Sequence, residues 1–119
     1  MIKLIPAEFK WKTTEQMYPF EKADDGSVLY CKYVNCNALP NNGTSNTAHG
    51  ISNFTASKVH KYWGKAWFTG GSTAIAMLGL PHPDAAATDC HLVDANITMF
   101  NRQDMSVYTS SRVYLIYAK

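Results

Sequence analysis

Residues 58–68 read Lys-Val-His-Lys-Tyr-Trp-Gly-Lys-Ala-Trp-Phe, and the remainder of the chain is organised around this stretch. In a strand, successive side chains point to opposite faces. One face would carry His60, Tyr62, Gly64, Ala66 and Phe68, and the other Val59, Lys61, Trp63, Lys65 and Trp67. The first set is small and mostly apolar, which suits a core. The second alternates lysine with tryptophan, and clustered exposed aromatic side chains indicate a contact surface.

Length and composition predict one compact domain rich in strands. The chain has 119 residues, which suits a single domain with one core. Hydrophobic residues make up 46% and charged residues 17%, an ordinary globular composition that argues against disorder. Seven tyrosines and three tryptophans, with many valines, isoleucines and threonines, favour strands.

Charge and hydropathy exclude two classes of function. The formal net charge is only +2 and the basic residues are scattered, so we expect no nucleic-acid partner. No apolar run approaches the roughly 18 residues of a membrane span, so we expect no membrane insertion. The first residues lack the apolar region and cleavage site of a signal peptide. We therefore expect folding in a reducing compartment, or a fragment of a longer chain.

The cysteines are predicted to be free thiols. There are three, Cys31, Cys36 and Cys90, and their spacing does not fit a zinc site. Cys31 and Cys36 differ in parity along one strand, so they would point to opposite faces and be poorly placed to pair. Sequons begin at Asn42, Asn53 and Asn96. Without a secretory signal we interpret these asparagines as turn residues.

Turn signals divide the chain into about seven short strands. Strands are expected over 28–35 and 110–117, and over 91–93 and 97–101 around a three-residue hairpin loop at 94–96. In 28–35, one face would carry Leu29, Cys31 and Tyr33 and the other Tyr30, Lys32 and Val34. In 110–117, one face would carry Val113, Leu115 and Tyr117 and the other Arg112, Tyr114 and Ile116. The apolar segment 73–80 could be buried on both faces. A short helix is expected to start at residues 13–16 and to end before Pro19. The pattern predicts an all-β fold, a small antiparallel β-sandwich.

Five motifs occur in an order that resembles one known family. They are Thr13-Thr14-Glu15-Gln16, the segment 25–32 (DGSVLYCK), the segment 38–42 (ALPNN), Ala48-His49-Gly50-Ile51 and the closing segment 113–119 (VYLIYAK). In this order they resemble the C-terminal domain of tailed-bacteriophage tail fibres and tailspikes, over about residues 13 to 119. The chain departs from the family pattern at Phe20, Val28 and Cys31.

The resemblance implies a homotrimeric sandwich of jelly-roll or TNF-like type over 13–119, preceded by an arm or connector over 1–12. It implies a protein made in the bacterial cytoplasm and located at the phage tail tip in the virion. Its implied role is attachment to bacterial surface polysaccharide or lipopolysaccharide. The alternative is a trimerisation or capping domain of a longer fibre or tailspike chain, with no ligand of its own.

Two sets of residues are candidates for glycan binding. Trp63 and Trp67 could stack on pyranose rings, and Lys61 and Lys65 could pair with acidic sugars or phosphates. The alternative is that these tryptophans pack in a subunit interface or under the N-terminal arm. Loops on a rigid scaffold often carry the residues that recognise a ligand, so a second set of candidates comes from the loops. The alternative is that these loops only connect strands. That second set is His82, Asn101 and Arg102.

We expect no catalytic residues, no metal and no cofactor. The four histidines, His49, His60, His82 and His91, do not show ligand spacing. His49, beside Gly50, is instead expected to hydrogen-bond to backbone. The carboxylates are dispersed and no nucleophile motif occurs. A small carbohydrate-active enzyme remains a third hypothesis, tested by release of reducing sugar.

Overall fold

The described part of the chain folds mainly into antiparallel strands. The computed structural model describes residues 9–67, 75–77, 89–101, 104, 106 and 108–119. The strands are β1 (Gln16–Lys22), β2 (Val28–Asn35), β3 (Thr44–Ala48), β4 (Val59–Trp67), β5 (Ile75–Met77), β6 (Asp89–Val93), β7 (Asn96–Phe100) and β8 (Ser110–Tyr117). A 3₁₀ turn, Ala56–Lys58, precedes β4. The all-β prediction is confirmed.

The strands form two sheets. The large sheet has the order β1-β2-β8-β4-β5, and the small sheet has the order β3-β7-β6. The closing strand β8 therefore lies inside the large sheet, between β2 and the predicted central strand β4. Its register sets Tyr114 opposite both Tyr33 and Trp63. Two strands that are far apart in the sequence thus share one surface with the last strand of the chain.

The main core contains side chains of both sheets. Val34, Ala66, Val113 and Leu115 from the large sheet cluster with residues of the small sheet. The small sheet contributes Cys90, Ile97 and Met99 to this cluster. Burial of these aliphatic side chains is the main favourable term holding the sheets together. We call the side of the large sheet that faces this cluster its inner face.

The opposite, outer face of the large sheet carries a second cluster. Leu29, Cys31 and Ile116 are fully buried there, and partly buried Phe9, Trp11 and Tyr18 cover them. The Tyr33 amide donates to the Lys12 carbonyl at 2.9 Å, which ties the segment before β1 to β2. The described part of the predicted arm, residues 9–12, therefore packs on its own sheet.

The predicted helix at residues 13–16 is wrong. These residues lead directly into β1, and Gln16 pairs with Cys31 of β2. Glu15, which looked like a first-turn helix residue, instead accepts a hydrogen bond from the Tyr117 hydroxyl at 2.6 Å. Pro19 is tolerated because β1 is an edge strand whose register breaks between Met17 and Lys22.

Two further details differ from the sequence prediction. The hairpin between β6 and β7 has a two-residue turn, Asp94 and Ala95, and Asp94 takes the positive φ of 51° that such turns need. The register of β4 shifts between Val59 and Lys61. This bulge brings His60, expected on the core face, to Glu21. Further along β4, Gly64 and Ala66 are buried as predicted, whereas Tyr62, expected on the same core face, is 42% exposed. Phe68 and most of 73–80, for which burial was also predicted, lie outside the described residues.

The prediction that His49 hydrogen-bonds to backbone is confirmed. The His49 ring is buried; Nδ1 accepts from the Ile51 amide at 3.1 Å, so Nε2 carries the proton and donates to the Asp94 carbonyl at 2.7 Å. This histidine joins the loop after β3 to the β6–β7 turn. Asn42 and Asn53 have positive φ, as expected of turn residues, whereas Asn96 begins β7.

The cysteines are free and buried, as predicted. Cys31 lies in the outer cluster and Cys36 in the inner one, so the large sheet separates them. Burial raises the pKa of the Cys31 and Cys36 thiols to about 11 and that of Cys90 to about 12. All three therefore stay protonated and unreactive at neutral pH.

Candidate functional site

Aromatic and cationic side chains share one region of the outer face of the large sheet. The register of β2, β8 and β4 places them in neighbouring rows: Tyr33, Tyr114 and Trp63 form one row, and Asn35, Arg112 and Lys65 form the next. Trp67 follows Lys65 on the same side of β4. We call this region the aromatic surface and define it by six residues, Tyr33, Trp63, Lys65, Trp67, Arg112 and Tyr114.

Arg112 lies at the centre of the aromatic surface. Its guanidinium carbon is 4.0 Å from the ring centroid of Tyr33 on one neighbouring strand and 5.7 Å from that of Trp67 on the other. Its Nε donates to Asn35 Oδ1 and its Nη1 to the Tyr114 hydroxyl, both at 3.4 Å. Cation–π contacts and these long hydrogen bonds hold the group in place at the sheet surface.

Trp63 is shared between the aromatic surface and the packing of the N-terminal segment. Its ring stacks on Tyr114 with centroids 5.3 Å apart and planes at 10°. Trp11 meets Trp63 edge-on at 5.5 Å and Tyr114 at 5.0 Å. Trp63 nevertheless remains 37% exposed. Trp63 therefore packs against the N-terminal segment, as one alternative expected, and remains partly exposed as well.

The predicted cation Lys61 is used differently from Lys65. Lys61 Nζ pairs with Glu21 Oε1 at 3.1 Å, and His60 Nε2 lies 3.0 Å from Glu21 Oε2. The hydrogen bond with His60, together with Lys61, holds the pKa of the Glu21 carboxyl below its usual value. This group connects β1 with the start of β4. Lys65 instead lies 5.7 Å from the Trp67 ring centroid.

The structure brings together some of the predicted site residues and separates others. Trp63, Lys65 and Trp67 meet on the aromatic surface. Asn101 is fully buried, so its side chain is not placed for direct contact with a glycan. Its backbone N–H donates to the Gly43 carbonyl at 2.9 Å. His82 and Arg102 lie outside the described residues.

Three members of the aromatic surface were missed from the sequence, namely Tyr33, Arg112 and Tyr114. The alternation of side chains along β2 puts Tyr33 and Val34 on opposite faces, and the alternation along β8 puts Arg112 and Tyr114 on the same face. The missing information was the strand order. Without knowing that β8 lies between β2 and β4, nothing in the pattern shows that these side chains adjoin Trp63 and Trp67.

Neither a metal-binding cluster nor a membrane-spanning helix occurs in the described part of the chain. Within residues 9–67, 75–77, 89–101, 104, 106 and 108–119, no three His, Cys, Asp or Glu side chains form a group that could hold a metal ion. Nor do these residues contain a helix long and apolar enough to cross a membrane. Comparisons with protein-family models, curated proteins and solved structures found no match to the chain.

Proposed function

We propose that this chain is a non-catalytic glycan-binding domain of the kind found at the tips of phage tail fibres and tailspikes. In this proposal it attaches a virion to polysaccharide or lipopolysaccharide on a bacterial surface. The order of the five sequence motifs supports the phage assignment. The aromatic surface supports the choice of ligand class, and it is the single observation on which that choice depends.

Pyranose rings have apolar C–H faces that stack on aromatic rings, while their hydroxyl groups need hydrogen-bond partners at the rim. Trp63 and Trp67 supply two indole rings on one strand of the sheet, with Lys65 between them. Arg112 and the hydroxyls of Tyr33 and Tyr114 add polar groups at the same level of the neighbouring strands. A sheet surface of this composition suits an extended saccharide chain better than a small enclosed ligand.

The proposal is tested by measuring adsorption of the purified protein to host cells, together with a glycan array. Trp67→Ala and Trp63→Ala each remove one stacking ring and should weaken adsorption about tenfold, which is the effect of losing roughly 1.4 kcal/mol. Phe100→Ala is the matched control, because Phe100 is 38% exposed but lies on the small sheet. Equal adsorption by all three variants and the wild type would exclude the aromatic surface as the ligand site.

The non-catalytic part of the proposal needs its own measurement. Two carboxylates of the N-terminal half already have partners. Glu15 is bound to Lys119 and Tyr117, and Glu21 is bound to His60 and Lys61. Such pairs keep a carboxylate ionised and occupied, which does not suit a general acid. Incubation with host polysaccharide should therefore release no reducing sugar. Release that disappears with a single carboxylate substitution would favour the enzyme hypothesis instead.

A homotrimeric sandwich of the TNF-like type is the assembly we propose for this domain. Apolar side chains at the β1 edge support it: Met17 is 61% exposed, Val28 39% and Phe20 38%. Exposed apolar side chains that lie close together are often covered by a partner. Three copies would also multiply weak binding through avidity. The same observation favours the second candidate function, a trimerisation or capping domain with no ligand.

Sedimentation of the isolated protein separates these possibilities when it is combined with cell adsorption. Met17→Glu places a charge at the β1 edge and should shift a trimer towards monomer. Val93→Glu is the matched control, since Val93 is 50% exposed on the small sheet. A trimer that adsorbs to no host cell would support the capping function. A wild-type monomer would contradict the proposed assembly.

A further inference from the structure

The chemistry of the aromatic surface also indicates which glycans it would select. Arg112 and Lys65 are register partners, so two positive charges lie directly opposite each other on neighbouring strands. Like charges in this position destabilise a sheet. Among the described residues, no carboxylate lies within ion-pair distance of either side chain, since the ion pairs there are Glu21 with His60 and Lys61, and Glu15 with Lys119.

From this arrangement we infer that the aromatic surface binds acidic saccharides, with the Arg112 guanidinium and the Lys65 ammonium receiving a carboxylate carried by a pyranose ring. This inference rests on the proposed glycan-binding function and specifies its ligand. An anion placed between the two cations would replace their repulsion with attraction. A ligand that supplies a negative charge would therefore make this register pair favourable.

The geometry of Arg112 suits this role. Its planar group contacts the Tyr33 ring at 4.0 Å, which occupies a face of the guanidinium. A guanidinium has five N–H donors at its edge, and the two hydrogen bonds to Asn35 and Tyr114 use only part of them. Arginine matches a carboxylate with two parallel hydrogen bonds, whereas lysine acts as a point charge. Arg112 would orient the acid and Lys65 would add attraction.

The rings on either side would hold the sugar. The ring centroid of Trp67 lies 5.7 Å from Lys65 Nζ and 5.7 Å from the guanidinium carbon of Arg112. Trp63 precedes Lys65 by two residues on the same face. A pyranose ring stacked on either indole would carry its exocyclic carboxylate towards Arg112 and Lys65. A neutral sugar could stack in the same way but would leave the two charges unbalanced. The expected preference for an acidic sugar over its neutral counterpart is therefore about tenfold to a hundredfold.

The test compares an oligogalacturonate with a galactose oligomer of the same length, by calorimetry at low and high salt. We expect the acidic oligomer to bind more tightly and to lose affinity as salt rises. Arg112→Lys retains the charge but loses the two parallel hydrogen bonds, and Arg112→Gln removes the charge as well. Both variants should weaken binding of the acidic oligomer, and the second should weaken it more. Lys58→Gln is the matched control, because Lys58 loses the same charge at the opposite end of β4.

Lys65→Gln provides a second signature that a purely structural role would not give. It removes the like-charge repulsion, so the free protein should melt at the same or a higher temperature while acidic binding falls. An equal affinity for both oligomers, unchanged in the Arg112 and Lys65 variants, would overturn this inference and leave the proposed function standing. Absence of binding to any glycan would contradict the proposed function itself. A phosphorylated glycan that binds while the carboxylated one does not would overturn the choice of carboxylate.

Discussion

The two faces of the large sheet are built from different side chains and are used differently. The inner face presents small and aliphatic residues such as Ala66, Val113 and Leu115, each fully buried against the small sheet. The outer face carries aromatic and charged residues such as Trp63, Arg112 and Tyr114, which stay partly exposed. The same strands, β4 and β8, supply both faces.

The difference shows how one sheet can separate stability from recognition. Aliphatic side chains gain free energy only by leaving water, so they need the small sheet above them. Aromatic rings and guanidinium groups gain part of their interaction energy from one another while still in contact with water. The N-terminal segment covers only part of the outer face. The remaining part can stay ordered through these contacts, which leaves rings and charges available to a partner.

The largest expected effect is on the inner face. Leu115→Ala should lower the free energy of unfolding by about 2 to 5 kcal/mol, since it leaves a cavity in the main cluster. Urea unfolding followed by tryptophan fluorescence measures the change. Glycan affinity of the folded fraction should stay at the wild-type value, because the side chain points away from the aromatic surface. A loss below about 1 kcal/mol would mean that the two sheets pack more loosely than described.

The neighbouring residue provides the matched comparison on the outer face. Tyr114→Ala removes the stacking partner of Trp63 and should cost roughly 2 kcal/mol, less than Leu115→Ala because Tyr114 is only partly buried. In contrast to the inner-face variant, it should also weaken glycan binding. The same urea titration and a binding isotherm give both numbers. If the two variants affect stability and binding in the same proportion, the two faces are not functionally distinct.

A smaller, pH-dependent effect is expected where β8 meets the segment before β1. Hydrogen bonds from Lys119 and from the Tyr117 hydroxyl lower the pKa of the Glu15 carboxyl from its ordinary value of 4.5. This stabilisation is therefore complete above about pH 4.5 and is lost as the pH falls through the lowered folded-state pKa. Tyr117→Phe should cost about 1 kcal/mol at pH 7.

The check is to measure unfolding of the wild type and of Tyr117→Phe from pH 7 down to pH 3. The difference between them should shrink as Glu15 becomes protonated. A difference that stays constant over this range would show that the Tyr117 hydroxyl does not bond to an ionised Glu15. Lys65→Gln, a substitution that removes a charge from the other end of β4, should show no such trend.

The smallest effect is expected for the group that connects β1 to β4. His60 and Lys61 lower the pKa of Glu21, but this carboxyl is solvent-accessible, so its interactions are screened. Glu21→Gln should lower the melting temperature slightly in low salt and not at all in high salt. A large decrease that persists in high salt would assign Glu21 a structural role beyond these ion pairs.

Much of the strand pattern could be predicted from the sequence, because it depends on local signals. The alternation in 110–117 correctly separated Val113, Leu115 and Tyr117 from Arg112 and Tyr114, and the His49 hydrogen bonds followed from its place beside Gly50. The expected helix at 13–16 failed because Glu15 finds its partners, Tyr117 and Lys119, more than a hundred residues away. Local capping rules cannot include such a contact.

The candidate site could be predicted only in part, for a similar reason. The alternation of lysine and tryptophan in β4 identified Trp63, Lys65 and Trp67. These three residues lie on one strand, so the face they share follows from the local sequence alone. Arg112 and Tyr33 join them through the order β2-β8-β4, which depends on long-range pairing. The bulge at the start of β4 also redirected His60 to Glu21, and no turn residue in the sequence marks that irregularity.

The most direct test of the aromatic surface as a glycan site uses the indole N–H signals of the protein. The chain has three tryptophans, so a ¹⁵N-labelled sample gives one signal each for Trp11, Trp63 and Trp67. On titration with host polysaccharide, the signals of Trp63 and Trp67 should shift and saturate at the same ligand concentration. Binding that leaves both indole signals unchanged, with shifts confined to backbone amides of the small sheet, would contradict the central claim.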